Sequence, residues 1–516
     1  MRMALRAVWA ALVASVALSA MAQPAAQKNA PASATPTAAG VTAAPGATTP
    51  GVAPAEPPPP PPITLPREVL QSAIGLREEA LRSNLAYQLL ESLTTEVGPR
   101  LAGTPGDLAA VAWSRRKFTE LEFSNIRTPE VIVPQWVRGE ASFDVLAPFP
   151  QRMVTLALGG SVGTPDEGLI APIVMVRDVP ALQALPEGAV RGKIVFFNGR
   201  MQRTRDGSGY GKAVRSRTEG PSVAASLGAV GVVIRSIGTS NNRIAHTGTL
   251  SYNISAPRIP AVAISNPDAD NLERQVAQLK NGAAREVSVR LRVTARDLPQ
   301  VRSANVIAEI PGTDLAQEIV LVGAHLDSWD PSVGAQDDGA GVAIAMATAK
   351  LVANMNPKPR RTIRVVLFAN EEFGLSGANS YPADEGDASV DRHAFALEAD
   401  LGDGPVWKLS ARVPERYWPV VDNAQKLVKS LGVELGDNEA SGGADLGPLR
   451  RRGVPVLAPQ LDATTYFDVH HTVNDTLAQV DTSHLQQSVA VFAIATYLAA
   501  MVDGPIPRLP IDPAAR

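Results

Sequence analysis

The chain has 516 residues, with 48 Lys or Arg, 51 Asp or Glu and a formal net charge of −3. This balance gives no electrostatic reason to expect a nucleic-acid partner. Cysteine is absent and histidine occurs six times, which excludes disulfides, thiolate metal sites, a thiol nucleophile and a lipid-modified N-terminal Cys. Any metal must be held by His, Asp and Glu.

Residues 1–22 read as a signal peptide. Arg2 and Arg6 precede an uncharged apolar run, Ala7 to Ala20, and Ser19-Ala20-Met21-Ala22 supplies the small residues of a cleavage site. The run is shorter than the roughly 20 apolar residues a membrane span needs. The expectation is export, to the periplasm or beyond, with no stable membrane span after cleavage. Residues 23–66 carry 13 prolines and only two charges, Lys28 and Glu56. The run Pro57–Pro62 favours polyproline II, and the stretch lacks the apolar residues that drive ordering, so a disordered linker is expected.

Residues 67–134 read as the first part of a catalytic domain. Leu81, Leu85, Leu89 and Leu90 recur at helical spacing, the Gly98–Gly106 stretch makes a rigid loop, and Ala109–Leu121 is a second helix. Residues 135–296 are β-rich: Ile170–Val176, Lys193–Phe197, Val230–Ile234 and Val287–Val293 are short apolar runs between Gly/Pro turns, with a short helix at Ser222–Leu227. Residues 297–505 alternate strands and helices. Ile319–Val322 and Thr362–Phe368 are strand-length runs, and Gly339–Met355 is an Ala-rich helix. That alternation predicts an α/β fold with a mixed, mostly parallel sheet sandwiched by helices. Leu485–Val502 is long and apolar enough to suggest an anchor, but Gln486, Gln487, Ser488 and Thr496 favour a packed helix. Residues 506–516 form a C-terminal tail.

The chemistry-bearing residues fall just past strand ends or in loops, where open α/β sheets bind ligands. After Ile319–Val322 comes Gly323-Ala324-His325-Leu326-Asp327-Ser328-Trp329-Asp330, and the next helix opens with Asp337-Asp338-Gly339. Asn370-Glu371-Glu372 follows Thr362–Phe368, Asp400 ends another short strand, and His470-His471-Thr472-Val473-Asn474-Asp475-Thr476 comes late. Singly, these are ordinary caps, turns and surface residues. Together they suit two cations held by oxygen and imidazole, which need one His and one carboxylate each, a shared carboxylate and a free one to act as base. His325, His471, Asp337, Asp400, Glu372 and Glu371 make up that set.

The order of these motifs resembles the co-catalytic di-zinc exopeptidases, the bacterial zinc aminopeptidase and glutamate carboxypeptidase type, and most closely their carboxypeptidase Q branch. His325-Leu326-Asp327-Ser328-Trp329-Asp330, the step from His325 to Asp337, and the Gly98–Gly106 loop match that branch. Lys193–Phe196, Gly228–Val233 and Arg258–Val262 resemble a protease-associated (PA) domain inserted into the fold at 135–296. The resemblance implies two Zn2+ per chain. One would be held by His325, Asp400 and shared Asp337, the other by Glu372, His471 and Asp337, with Glu371 as general base. It also implies that Asp327 orients His325 from behind, and that the Asp337–Asp338 peptide is cis. Where many relatives have Tyr before the last ligand, this chain has His470. His470 and Tyr466 are candidates for transition-state or substrate contacts, and Asp445 for reading a substrate amino group.

The implied activity is hydrolysis of short peptides by an exported metallo-exopeptidase, a dipeptidase or carboxypeptidase, with an aminopeptidase as the alternative. Another zinc amidohydrolase, or a metal-free binding protein on the same fold, are further alternatives. Analogy with the family implies a homodimer.

Overall fold

The computed structural model describes residues 61–511 except 280, 281 and 283. The expected signal peptide and residues 23–60 of the expected linker lie outside the described residues. The last residues of that linker differ from the expectation. Ile63 is buried in the main core, and its N–H donates to the Arg416 carbonyl at 3.1 Å. In the tail, Arg508 donates to the carbonyls of His393 and Val390, and the Leu509 N–H donates to Gly453 O.

The first helical stretch is two helices, Arg67–Ala80 and Leu85–Glu96. The leucine spacing ran across a break that Ser83 makes, because its hydroxyl accepts the Leu85 N–H and starts a new helix. Pro105–Glu120 follows, capped by the Thr104 hydroxyl and opened by Pro at a position that tolerates it.

The main sheet has eight strands. In spatial order they are Ser124–Arg127, Val306–Ile310, Arg361–Phe368, Leu315–His325, His393–Glu398, Val456–Leu461, Val406–Arg412 and Glu434–Leu435. Its middle runs parallel, through the pairings of Leu315–His325 with both neighbours. Val306–Ile310 pairs antiparallel on one flank, and Val406–Arg412 on the other. Arg361–Phe368 and His393–Glu398 are buried along their whole length, as is the central strand from Ile319 to His325, as a sheet covered on both faces requires. One face is covered by Ala340–Ala353 and Thr482–Met501 with the two N-terminal helices. The other lies under Ser376–Glu385 and Gly447–Arg451.

Ala340–Ala353 is buried nearly all round, which its small side chains permit. Thr482–Met501 is likewise buried. It starts at Asp481, whose carboxylate accepts from Ser483 and His484 N–H groups, a cap worth about 1 kcal/mol. No described helix is long and apolar enough to cross a membrane.

A second eight-stranded sheet occupies 141–293. Its parallel centre, Leu169–Val176, Ile194–Phe197, Gly231–Arg235 and Ala261–Ile264, is flanked by antiparallel strands. The chain enters and leaves through a two-stranded ribbon, Glu130–Val137 against Arg296–Ala304. The expected boundaries at 135 and 296 fall inside that ribbon, and the sheet proper begins at Ala141 and ends at Val293. Arg138, at the ribbon's end, lies between Trp136 and Trp329 and forks onto Asp330, with Nε 3.0 and 2.9 Å from the two carboxylate oxygens. This fixes the inserted sheet to the loop that follows the central strand.

Candidate active site

The central strand delivers His325 to the C-terminal edge of the sheet, 1% exposed. Beyond it the chain loops through Gly334 to Asp337. Arg100, from the early Gly-rich loop, holds that loop by donating to the carbonyls of Leu326 (2.6 Å), Val333 and Gly334 (3.0 Å). Asp475 holds the next turn, accepting the N–H groups of Gln336 (2.6 Å) and Asp337 (3.1 Å). Burial pushes the Asp475 carboxyl up to about 7. The Asp337–Asp338 peptide is cis. The Asp338 carboxylate is spent on the backbone N–H groups of His325 and Gly341, at 3.1 and 3.2 Å.

Asp337 divides its carboxylate. Oδ1 lies 3.2 Å from His325 Nε2, and Oδ2 lies 3.1 Å from His471 Nε2. Asp400 Oδ1 is 3.6 Å from the same His325 nitrogen, and Glu372 Oε2 is 2.9 Å from His471 Nε2. The structure thus brings together all five residues expected as metal ligands. Glu371 lines the same cavity, half-buried, beside the set.

Asp327 lies beside His325 and has a second role that was not expected. Its carboxylate accepts the N–H groups of Glu371 (3.0 Å) and Glu372 (3.3 Å), while His325 Nδ1 sits closer to the Asp327 backbone carbonyl (3.1 Å) than to its carboxylate (3.7 Å). The turn after the strand folds Asp327 toward the neighbouring strand end. It therefore positions the Glu pair first and the imidazole second.

His470 stacks on His471, with ring centroids 3.5 Å apart, and turns Nε2 to Asp337 Oδ2 at 3.5 Å. Tyr466 is buried at the cavity wall, its ring 5.0 Å from that of His470. Asp445 is buried against Glu398, which accepts the Asp445 N–H at 3.2 Å, and neither Asp445 carboxylate oxygen has a hydrogen-bond partner. Ala444, before it, reaches the cavity.

The electrostatics call for cations. Burial, then neighbouring acids, pushes Glu371 and Glu372 well above the usual carboxylate range. Burial opposes a charge on His325, yet Asp327, Asp337 and Asp400 together raise its pKa well above the ordinary value. Asp337 Oδ2 and Glu372 Oε1 are buried without a hydrogen-bond partner among the described residues. Donor atoms of His325, Asp337 and Glu372, and again of Asp337, His470 and His471, lie within 4.8 Å of one another. Close but unpaired donors of this hardness fit zinc-type cations.

The sequence left several residues of the cleft unmarked. Arg217, 4% exposed, reaches the cavity from the inserted unit. It donates to the carbonyls of Thr249 (3.1 Å) and Thr247 (3.3 Å) and to the Tyr210 hydroxyl (2.7 Å), and it has no acidic partner among the described residues. Tyr210 stacks on Phe467 and meets His470 edge-on. The cavity holds about 400 Å³, and Asp400 and Leu401 connect it to a side pocket of about 150 Å³ lined by Asp206, Glu398 and Gln460.

The sequence profile of peptidase family M28 matches residues 305–496. Carboxypeptidase Q of Mus musculus is 31% identical over 441 residues, covering 86% of this chain and 91% of that protein. Aminopeptidase YwaD of Bacillus subtilis is 23% identical over 456 residues, 85% and 89% of the two chains. Among solved structures, a peptidase M28 precursor from Shewanella amazonensis superposes with a TM-score of 0.82 at 44% identity, covering 86% of this chain and 99% of that one. A zinc aminopeptidase from Bacillus subtilis shares the fold with a TM-score of 0.57 at 21% identity, over 82% and 98%.

Proposed function

From the fact that this chain belongs to peptidase family M28, and is a zinc-dependent exopeptidase, we propose that it is an exported dipeptidase or carboxypeptidase working with two zinc ions per chain. The observation that carries the two-ion reading is the divided carboxylate of Asp337, one oxygen to His325 and one to His471. His325, Asp400 and Asp337 would hold one ion, and Glu372, His471 and Asp337 the other. Bound there, zinc supplies Lewis acidity toward the scissile carbonyl and lowers the pKa of water.

The chain's own residues do the rest. Glu371 stands in the cavity outside the ligand set, with a proton affinity raised by burial. It takes the proton of the attacking water and delivers it to the leaving amine as the C–N bond breaks. Asp327 keeps the Glu371 and Glu372 backbone in place through its two N–H acceptors. His470 and Tyr466 line the wall where the tetrahedral oxygen develops.

Two features support a substrate with both termini free. Arg217, buried with no acid to balance it, suits a substrate carboxylate, and Tyr210 beside it adds a hydroxyl. On the other side, Asp206, Glu398 and Asp400 make an acidic wall suited to an ammonium group, with Asp445 buried behind Glu398. A short peptide bound between them presents its bond to Glu371. This favours a dipeptidase or carboxypeptidase over an aminopeptidase, which needs only the acidic side.

The 141–293 sheet is read as a PA-like insertion walling the cleft. Export rests on the N-terminal pattern of residues 1–22, and a homodimer on family analogy.

The test is hydrolysis of dipeptides with free, N-acetylated or C-amidated ends, with metal content measured on the same samples. Glu371→Gln is expected to keep its metal and lose activity by about 10²–10⁴-fold. Arg217→Met is expected to lose about 10–100-fold in kcat/KM on free-carboxyl peptides, the worth of one or two charge-assisted hydrogen bonds, and little on amides. Wild type that prefers amidated substrates would sink the carboxypeptidase reading and leave the aminopeptidase.

A further inference from the structure

The loop 462–471, which carries Tyr466, His470 and His471, is held largely by the inserted unit. Arg205 pairs with Asp462 at 2.7 Å, and its carbonyl accepts the Ala463 N–H at 2.9 Å. Arg203 forks onto Asp468 at 2.6 and 2.9 Å, and the Thr239 hydroxyl adds a third bond at 2.8 Å. The Thr239 N–H donates to Phe467 O at 3.0 Å. At the end of the loop the contacts reach the metal-binding residues themselves. His246 Nδ1 lies 2.7 Å from the His470 carbonyl, the Thr247 N–H donates to the His471 carbonyl at 3.0 Å, and His471 Nδ1 faces the Thr247 carbonyl at 3.3 Å.

A carbonyl only accepts, so both ring nitrogens in these contacts carry the proton. For His471 that leaves Nε2 bare, and Nε2 is the atom turned toward Asp337 and Glu372. A metal-ligating histidine is normally fixed in this way, by the bond its other nitrogen makes. Here the partner is a backbone carbonyl of the inserted sheet. His471 itself has a left-handed backbone, φ 62°, a conformation that non-glycine residues rarely hold without outside support. The bonds to the carbonyls on either side of that φ, at His470 and His471, come from His246 and Thr247.

We propose that His246 and Thr247 are positioning residues for one ion of the pair, the one held by Glu372, His471 and Asp337. They fix the His470–His471 backbone and the Nδ1-protonated form of His471. The inserted unit is then part of that half of the centre as well as a wall of the cleft. Among the described residues, none of His325, Asp400 and Asp337, which would hold the other ion, bonds to His246 or Thr247, so that ion does not depend directly on this contact. The proposal rests on the two-ion reading above.

The experiment is stepwise metal removal from the full chain against a graded chelator, with zinc counted by mass spectrometry and the cobalt-loaded protein followed by its visible absorption. His246→Leu removes the donor, whereas His246→Asn puts an amide N–H close to the position of Nδ1. In His246→Leu one ion is expected to weaken by about 10–100-fold while the other is unchanged. The cobalt band of the affected site should change with it, and His246→Asn should restore both. Two ions bound in His246→Leu with wild-type affinities, or both ions weakened alike, would overturn the proposal. Arg203→Leu tests the same staple from an exposed position should His246→Leu not fold. It should weaken the same ion by about 2–5-fold, the range of a partly exposed ion pair, and no change would overturn the proposal. Wild type binding a single ion would instead refute the two-ion reading, an outcome separate from any effect of the variants.

Discussion

Trp329 occupies the space that any side chain on Gly159 would need: a Cβ there would fall 2.0 Å from the ring's Cη2 and 2.6 Å from Cζ3. Gly159 belongs to the inserted unit, bonded to Gly248 O through its N–H. Trp329 belongs to the loop after the central strand, and its ring lies 5.8 Å from that of His471. The two halves of the cleft therefore meet at van der Waals contact through a residue that has no side chain.

Gly159→Ala should overpack this contact and cost about 1–3 kcal/mol of stability. Urea unfolding monitored by tryptophan fluorescence checks it. Gly211→Ala is the control, since a Cβ there meets nothing within 4 Å and Ala is favoured in a helix by about 0.5–1 kcal/mol. Equal stability of the two variants would refute the overpacking.

Removing the shared carboxylate should differ from removing a terminal one. Asp337→Ala is expected to bind neither ion, whereas Asp400→Ala loses only the one beside His325. Mass-spectrometric metal counts on dialysed protein distinguish the two. An Asp337→Ala protein that keeps one ion at full affinity would show that this carboxylate serves a single ion.

Glu385 supplies a pH dependence far from the metal ligands. Burial alone would raise its pKa, but the Ser389 hydroxyl (2.6 Å), Arg364 (2.7 Å) and Arg127 outweigh it and bring the carboxyl to about 2. A folded-state pKa below the ordinary 4.5 means that the ion pairs stabilise fully above pH 4.5. That stability is lost as pH falls from there through 2. Glu385→Gln should be less stable at pH 7 and lose less between pH 4.5 and 2. Parallel stability curves for the two proteins would contradict this.

Much of the site was legible because each ligand sits in a short motif just past a strand end or in a loop. His325, Glu372 and Asp400 close or follow apolar runs whose burial the sequence pattern announces, and Asp337 opens the helix after the first. The spacing could not show which way a side chain turns after the strand stops. Asp327 was therefore expected only behind His325, and it also clamps the Glu371 and Glu372 N–H groups. Arg217 was invisible because its significance is the missing acidic partner, which only packing reveals. His246 and Thr247 belong to no motif shared with His471. The break at Ser83 was hidden for a simpler reason: leucine periodicity persisted across it, and one hydroxyl bond decides where the second helix begins.

The joining of His246 to His470 also sets a timetable. The two residues lie 224 positions apart in the chain, and contacts of such separation are slow to form because a long loop must close first. The inserted sheet emerges from the ribosome long before residue 471 does, and at about 5–20 residues per second the wait is tens of seconds. Through that interval the growing polypeptide gains His325, Asp337, Glu372 and Asp400 in turn but still lacks the His470–His471 loop. Peptide-cleaving ability is thus withheld until residue 471 has emerged.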